Sequence, residues 1–151
     1  METFAAVQGH EMDGETARAF LREQGFGVLS LASDGEAYGI PISYGYDAEA
    51  DRLYFVFLRP AATSKKERFG AATERASVLV FDVPSREEWR TVVVGGTLRT
   101  VADDEWPAVR DALEDNAWFP SLFSETEPMQ DIVGWTLEIE EVTGMHSRAA
   151  R

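Results

Sequence analysis

Short apolar segments that follow one another in hairpin-sized units constrain the fold of this chain most strongly. Asp34-Gly35 separates the first two as a tight two-residue hairpin signal. In the last segment Trp135, Leu137 and Ile139 alternate with polar residues, the period of a half-buried strand. The strand-like segments are 26–32, 37–46, 53–58, 77–83, 91–101 and 134–142. Because these six do not alternate strictly with helices, the pattern predicts an antiparallel barrel with flanking helices rather than a doubly wound parallel sheet.

Helix signals stand before the first strand and after the fifth. Asp13 is a predicted N-cap for a helix over 14–24, and Gly25 is its stop signal. Asp103 or Asp104 is expected to cap a second helix. The apolar residues at helical spacing are Ala17, Phe20 and Leu21 in the first helix and Trp106, Val109 and Leu113 in the second.

Two strands carry residues that interrupt a regular ladder. Pro41 has no N–H to donate, so its backbone is expected to face an edge, a bulge or a ligand. Gly95-Gly96 predicts a bulge or a close backbone approach in the fifth strand.

Between the third and fourth strands lie Lys65 and Lys66, the only lysines of the chain. Ser64 and Glu67 form a capping-box pattern, so a helix is expected to begin here with both lysines in its first turn. The helix dipole disfavours cations at that end unless an anion is present. The pattern therefore leaves two interpretations: a phosphate site made by the lysines and backbone N–H groups, or a solvated surface turn.

Composition bounds the class of protein. The 151 residues are expected to form one domain, 1–151, and the absence of cysteine excludes disulfides and thiolate metal sites. No apolar run is long enough to span a bilayer, and the N-terminus lacks the features of a signal peptide, so a soluble, cytoplasmic protein is expected. A formal net charge of −13 argues against nucleic-acid binding.

The acidic balance also predicts a response to salt. A halophilic source and an ordinary acidic protein are both compatible with the charge of −13. In the halophilic interpretation, thermal stability should rise from low to molar salt, because the Debye length falls to about 3 Å at 1 M and carboxylate repulsion is screened. Tm measured across that range checks this. A flat or falling Tm would reject the halophilic interpretation but would leave the fold prediction unaffected.

Taken in order, the segments resemble a known family. The matching stretches are the helix end 20–25, strand segments 27–31, 38–43 and 53–57, the 64–66 turn, and segments 76–81, 91–95 and 137–144. Their order and spacing, over roughly residues 13–148, resemble the FMN-binding split-barrel family of pyridoxamine 5'-phosphate oxidase-like proteins. Within it they resemble the branch that includes nitroimidazole-resistance-like flavoproteins.

The resemblance implies a fold, an assembly and a site. The fold would be a six-stranded antiparallel Greek-key split barrel, and the assembly a homodimer with FMN at its interface. Pro41, Ile42 and Ser43 would lie along the isoalloxazine ring, largely through backbone atoms. The other implied cofactor-binding residues are Phe57, Leu58 and Arg59 beside the ring and ribityl chain, and Ser64, Lys65 and Lys66 around the phosphate.

Other residues do not suggest chemistry of their own. His10 and His146, the only histidines, lie near the termini and are interpreted as exposed terminal residues, so no catalytic histidine and no metal site are predicted. The C-terminus lacks the arginine-rich substrate site of the pyridoxamine oxidases proper. Trp118, Phe119 and Phe123 are interpreted as core or dimer contacts, or alternatively as a wall of the flavin pocket.

The resulting functional hypothesis is an FMN-dependent oxidoreductase acting on a small molecule, with no assigned catalytic side chain. The alternative from another class is a flavin-binding carrier or sensor without turnover. A third keeps the fold and exchanges the ligand for a deazaflavin or haem.

Overall fold

The computed structural model describes residues 9–58, 73–116 and 132–148. Two α-helices lie in this part: α1 at Gly14–Gln24 and α2 at Trp106–Asn116, the latter preceded by a 3-10 turn at Asp103–Glu105. The helix predicted after Ser64 falls outside it. The strands are β1 (His10–Glu11), β2 (Phe26–Ser33), β3 (Glu36–Ser43), β4 (Gly45–Asp47), β5 (Arg52–Leu58), β6 (Arg75–Asp82), β7 (Arg90–Thr100) and β8 (Ile132–His146).

All eight described strands belong to one antiparallel sheet in the order β3-β2-β6-β7-β8-β5-β4, with β1 added to β8. The predicted fold class, a mainly β split barrel with flanking helices, is confirmed. All six predicted strands are present, but the second is divided at Tyr44 into β3 and β4, and β1 is an addition. Neither described helix is long and apolar enough to cross a membrane.

The first helix and the first hairpin follow their local signals. Asp13 accepts a hydrogen bond from the backbone N of Thr16 at 2.7 Å, and Gly25 ends α1 in the left-handed conformation. Asp34 and Gly35 both have positive φ, as a two-residue turn between β2 and β3 requires. These elements therefore form as the sequence predicts.

A bulge in β8 lies opposite the glycine pair of β7. Gly95 is paired with Glu141 and Gly96 with Ile139, so Glu140 is the extra residue. A Cβ at Gly96 would lie 1.8 Å from the carbonyl oxygen of Glu138, which leaves room for hydrogen alone. The predicted close approach is therefore present at Gly96, whereas the bulged strand is β8, opposite the glycines, and not β7.

Two apolar clusters hold this sheet. The larger fills the barrel interior, and α1 closes one end of it with Ala17, Phe20 and Leu21, none more than 2% exposed. The smaller lies on the outside of the sheet, where α2 packs Val109, Ala112 and Leu113 against Tyr54. Burial of each large side chain contributes about 1.5–3 kcal/mol, so these clusters are the main source of stability.

The period-two alternation predicted for β8 fails at Thr136. This residue is fully buried although the alternation predicts it on the polar face, and its hydroxyl has no hydrogen-bond partner within the described residues. The physical reason is that Tyr54 and Trp106, of the smaller cluster, cover that side of the sheet. A period of two in the sequence predicts that one face of the strand is solvated, whereas here the smaller cluster around α2 covers that face.

A network of two arginines and two glutamates joins the turn before α2 to the sheet. Arg99 donates to both Glu105 and Glu138, and Arg52 bridges the same two carboxylates at 3.3 and 2.9 Å. Glu105 also accepts from the backbone N of Ala102 at 2.9 Å. The predicted cap at Asp103 or Asp104 is wrong, because the turn begins at Ala102 without a side-chain cap and Glu105 binds that backbone N–H instead.

Glu105→Gln should destabilise the protein at neutral pH. Hydrogen bonding to Arg99 lowers the pKa of Glu105 to about 2, and the side chain is only 12% exposed. Because the folded-state pKa is depressed, its stabilisation is fully present above the unfolded pKa and is lost as pH falls through about 4.5 toward about 2. We expect a loss of about 2–3 kcal/mol at pH 7, which shrinks below about pH 4.5. Urea unfolding at several pH values measures it.

Glu141→Gln is the matched control on β8. Glu141 pairs only at 3.3 Å with Arg75 within the described residues, and its side chain is 70% exposed. Its replacement should change stability little, because exposed ion pairs contribute little. A Glu105→Gln effect that equalled this control, or that stayed constant with pH, would contradict the role given to the network.

Candidate functional site

The first and last strands of the sheet meet at one residue, and the barrel opens beside it. β3 and β4 are the first and last strands of the sheet order, yet only Tyr44 separates them along the chain. The sheet must therefore curl until its ends meet at this residue. Tyr44 is fully buried, its hydroxyl donates to the carbonyl of Leu21, and its backbone N donates to Gly25 at 3.0 Å. The meeting point is thus held against the end of α1.

From Tyr44 the two edges diverge. β5 is paired with β8 from Arg52 to Leu58, but with β4 only from Arg52 to Tyr54. β3 turns away to pair with β2 along its whole length. The result is a gap between β3 and the second half of β5, which are not paired with each other. We call this gap the split, and it is the first component of the candidate site.

Three of the predicted cofactor-binding residues lie on the β3 side of the split. Pro41 is exposed on the outer face of the sheet, whereas Ile42 is 6% exposed and packs in the barrel core. The Ser43 hydroxyl donates to the carbonyl of Gly25 at 3.4 Å. Only Pro41 presents its side chain fully to the outside, so contact with a ligand here would use mainly backbone atoms.

On the other side, Phe57 and Leu58 end β5 and are paired with Val133 and Ile132. The structure thus brings the described predicted residues to the two sides of one gap. Arg59, Ser64, Lys65 and Lys66 lie outside the described residues. The same holds for the aromatic residues Trp118, Phe119 and Phe123.

Beside the split, the outside of the sheet is apolar. Pro41 is paired with Val28, Val28 with Leu79, and Leu79 with Val93, which gives a continuous row across four strands. Phe26, Phe81 and Val93 are exposed by 42%, 44% and 41%. We call this surface the outer apolar face; its members are Phe26, Val28, Pro41, Leu79, Phe81 and Val93.

This surface was not predicted, although the sequence contains a signal for it. Residues 78–81 and 92–94 are apolar at every position instead of at alternate positions. Continuous apolar runs are typical of strands covered on both faces. Several large apolar side chains together on a surface mark a site for a partner or ligand.

The charged and hydroxyl groups around the β4–β5 turn have structural partners. Arg18 binds Asp51 at 2.9 Å, and its hydrogen bond lowers the pKa of that carboxyl group. Tyr46 donates to Asp51 at 2.9 Å, and burial, followed by this contact, raises the pKa of Tyr46 to about 12. A phenol with that pKa stays neutral and serves to hold β4 in place.

No acid or base suited to proton transfer stands out at the outer apolar face within the described residues. The surface carries aliphatic and aromatic side chains and the backbone of an end strand. Such a surface can stack a flat, largely apolar molecule and hydrogen-bond to its polar edge. Its six named members include no nucleophile for covalent catalysis.

These features define a class: an antiparallel split barrel with an apolar sheet face next to an open edge. A family model described as pyridoxamine 5'-phosphate oxidase matches residues 13–146. The chain therefore belongs to the pyridoxamine 5'-phosphate oxidase-like split-barrel family. No curated protein matches it in sequence.

Solved structures share the fold. A FAD-binding protein from Mesorhizobium loti has 24% identity and a TM-score of 0.70, with 92% of this chain and 98% of that chain covered. A FAD- and haem-binding protein from Mycobacterium smegmatis has 21% identity and a TM-score of 0.71, covering 94% and 74%. A protein assigned to 5-nitroimidazole antibiotic resistance from Bacteroides thetaiotaomicron has 13% identity and a TM-score of 0.68, covering 92% and 87%.

Proposed function

We propose that this protein is a flavoprotein that binds FMN and acts as an FMN-dependent oxidoreductase on a small molecule in the cytoplasm. The observation that carries the proposal is the outer apolar face beside the split, in a chain of this family. A flavin needs a flat apolar surface for its ring, backbone groups for its polar edge and cations for its phosphate. The described residues fit the first two needs.

In this proposal Pro41, Ile42 and Ser43 border the isoalloxazine ring through the backbone of β3. The opposite side of the split, Phe57 and Leu58 with Arg59, flanks the ring and the ribityl chain. Ser64, Lys65 and Lys66 hold the phosphate, as their sequence pattern suggests. The bound flavin would supply the redox chemistry, while the chain binds it, orients it and limits the access of water.

We further propose that the protein is a homodimer through the outer apolar face. A monomer would leave Phe26, Phe81 and Val93 more than 40% exposed on one surface. Exposure of such an apolar surface to water is unfavourable. A second copy of the chain would cover this surface, because a two-fold axis places the same apolar patch on both sides of the interface. Dimerisation would also enclose a ligand bound at the split.

Val93→Lys should separate the two copies. The change places a cation on the outer apolar face, at the β7 end of its row, where burial without a partner is costly. The two-fold axis brings two such lysines into the interface, so the unfavourable burial occurs twice. We therefore expect the dimer dissociation constant to rise at least about a hundredfold, where each tenfold corresponds to about 1.4 kcal/mol. Light scattering over a concentration series measures it. Ala108→Lys on the exposed side of α2 is the control, and a dimer lost only with this control would place the interface elsewhere.

A second candidate function is a flavin carrier or sensor without turnover. The observation in its favour is the lack of a suitable acid or base at the outer apolar face among the described residues. Steady-state oxidation of a reduced nicotinamide cofactor by the FMN-loaded protein distinguishes the two. Catalytic turnover with an added acceptor supports the oxidoreductase, whereas flavin that binds but stays oxidised supports the carrier.

The ligand itself also has alternatives. The Mycobacterium smegmatis relative of the same fold binds both FAD and haem, so haem is one alternative for this chain, and a deazaflavin is another. Titration of the purified protein with FMN, FAD, a deazaflavin and haemin, followed by absorption, separates them. FMN should bind most tightly, because two cations suit one terminal phosphate.

A further inference from the structure

The two histidines of this chain lie side by side. They come from opposite ends of the sequence, and β1 pairs with β8 so that His10 faces His146. Their ring centroids are 5.6 Å apart, with the ring planes tilted by 31°. His146 lies half-buried in β8, so the expectation that it is an exposed terminal residue is wrong. The pairing of distant strands, which sequence spacing does not encode, accounts for the difference.

The ring of His146 is oriented by its neighbour. Its Nδ1 lies 2.7 Å from the carbonyl oxygen of Ser147, so a neutral ring donates there and leaves Nε2 as the free acceptor. Ser147 is itself fixed, since its backbone N donates to Trp89 and its hydroxyl accepts from Trp89, both at 2.9 Å. A carbonyl that holds one imidazole nitrogen is the usual outer partner of a metal-binding histidine.

We propose that His10 and His146 together bind a divalent transition-metal ion, each through one imidazole nitrogen. A metal–nitrogen distance of about 2.0–2.1 Å puts each ring centroid roughly 3 Å from the ion, so at a tetrahedral angle of about 110° the two centroids lie roughly 5 Å apart. The observed 5.6 Å is close to this value, and rotation of the side chains brings the rings to it without movement of the strands. Affinity should follow the order Cu²⁺ above Ni²⁺ and Zn²⁺.

The surroundings permit a cation with water ligands. A cavity of about 320 Å³ adjoins His146 and is lined also by Glu11, Asp13 and Glu23. Arg90, paired with His146 on β7, is held by Glu23 and Asp82 at 3.3 Å, and its guanidinium lies 4.6 Å from the centroid of the Phe20 ring. Two carboxylates thus offset its charge. No group of three or more potential ligands converges within the described residues, so water completes the coordination.

Binding would fasten β1 to β8. β1 has only two residues and its pairing with β8 covers only those two. A metal bridge between the imidazoles would therefore stabilise the folded state by mass action. This site is separate from the split and does not depend on the proposed flavin function.

Isothermal titration of the tag-free chain with NiCl₂ and CuCl₂ tests the proposal. We expect one ion per chain, a Tm that rises with metal, and binding that weakens as protons are added because protonated imidazoles cannot ligate. His10→Ala and His146→Ala should each weaken binding at least tenfold, while Glu11→Gln should change it less than threefold. His10 is exposed, so its variant is expected to fold and suffices if the His146 variant does not. No binding by the wild type, or equal binding by the His10 variant, would overturn the site.

Discussion

Replacing both Lys65 and Lys66 by alanine should weaken FMN binding by about two to four orders of magnitude. Charge-assisted hydrogen bonds contribute roughly 1.5–3 kcal/mol each, and each 1.4 kcal/mol is about tenfold in affinity. The fold should persist, because the Ser64–Glu67 capping pattern is unchanged and removing cations from a helix N-terminus is not destabilising. A flavin-fluorescence titration measures the change.

Riboflavin and a charge-matched variant make this test specific. Riboflavin lacks the phosphate, so its affinity should change little in the double variant. Arg86→Ala with Arg148→Ala removes the same number of positive charges from exposed positions, and its FMN affinity should remain near that of the wild type. Equal losses for FMN and riboflavin would mean that the lysines do not bind the phosphate. No loss for either would return them to a solvated turn.

Gly96→Ala should destabilise the protein strongly, although it adds only one methyl group. The new Cβ would lie only 1.8 Å from the carbonyl oxygen of Glu138 and would overlap it. Gly96 and Glu138 both belong to the paired backbones of β7 and β8. The strands must separate or the bulge must shift, so we expect a loss of about 3 kcal/mol or more. For a domain of this size the Tm should fall by roughly 6–12 °C. Calorimetry or urea unfolding measures it.

Gly39→Ala is the matched control in the same sheet. Its Cβ would meet only the side chain of Val28 at 3.7 Å, an ordinary contact. Stability should be unchanged or slightly higher, because alanine reduces the conformational entropy of the unfolded chain. If Gly96→Ala were as well tolerated as Gly39→Ala, the close approach of β7 and β8 at the bulge would be disproved.

Local signals predicted the elements that depend on local interactions. The Asp13 cap, the Gly25 stop and the Asp34-Gly35 turn are each completed by groups within a few residues, and all are present. The close approach at Gly96 was also predicted, because glycine inside a β-branched strand is typical of a bulge or of a close backbone approach; the bulge itself lies in the neighbouring β8. The fold class followed from the order of these elements.

The break at Tyr44 could not be predicted in the same way. Residues 37–46 read as one continuous strand, and Tyr44 is a good strand former. The break is caused by contacts with Leu21 and Gly25 at the end of α1, which sequence periodicity does not encode. The split, and with it the geometry of the candidate site, therefore arises from tertiary packing.

Burial on the outer side of the sheet was the other source of error. The alternation in β8 predicts a solvated face at Thr136 that α2 covers, and the outer apolar face was not predicted although residues 92–94 are apolar at every position. In both cases the second face of the strand is covered or apolar, whereas the alternation predicts a polar, solvated face. The predicted ligand residues of the 59–66 segment remain predictions, since they lie outside the described residues.

The measurement that tests the central proposal most directly is the absorption spectrum of the tag-free protein after incubation with excess FMN and removal of free ligand. We predict the near-ultraviolet and visible absorption bands of oxidised flavin, with about one FMN per chain, in the dimer fraction separated by size, and loss of flavin from the Val93→Lys monomer. A spectrum without flavin bands would contradict the proposal, as would FMN held equally well by the monomer.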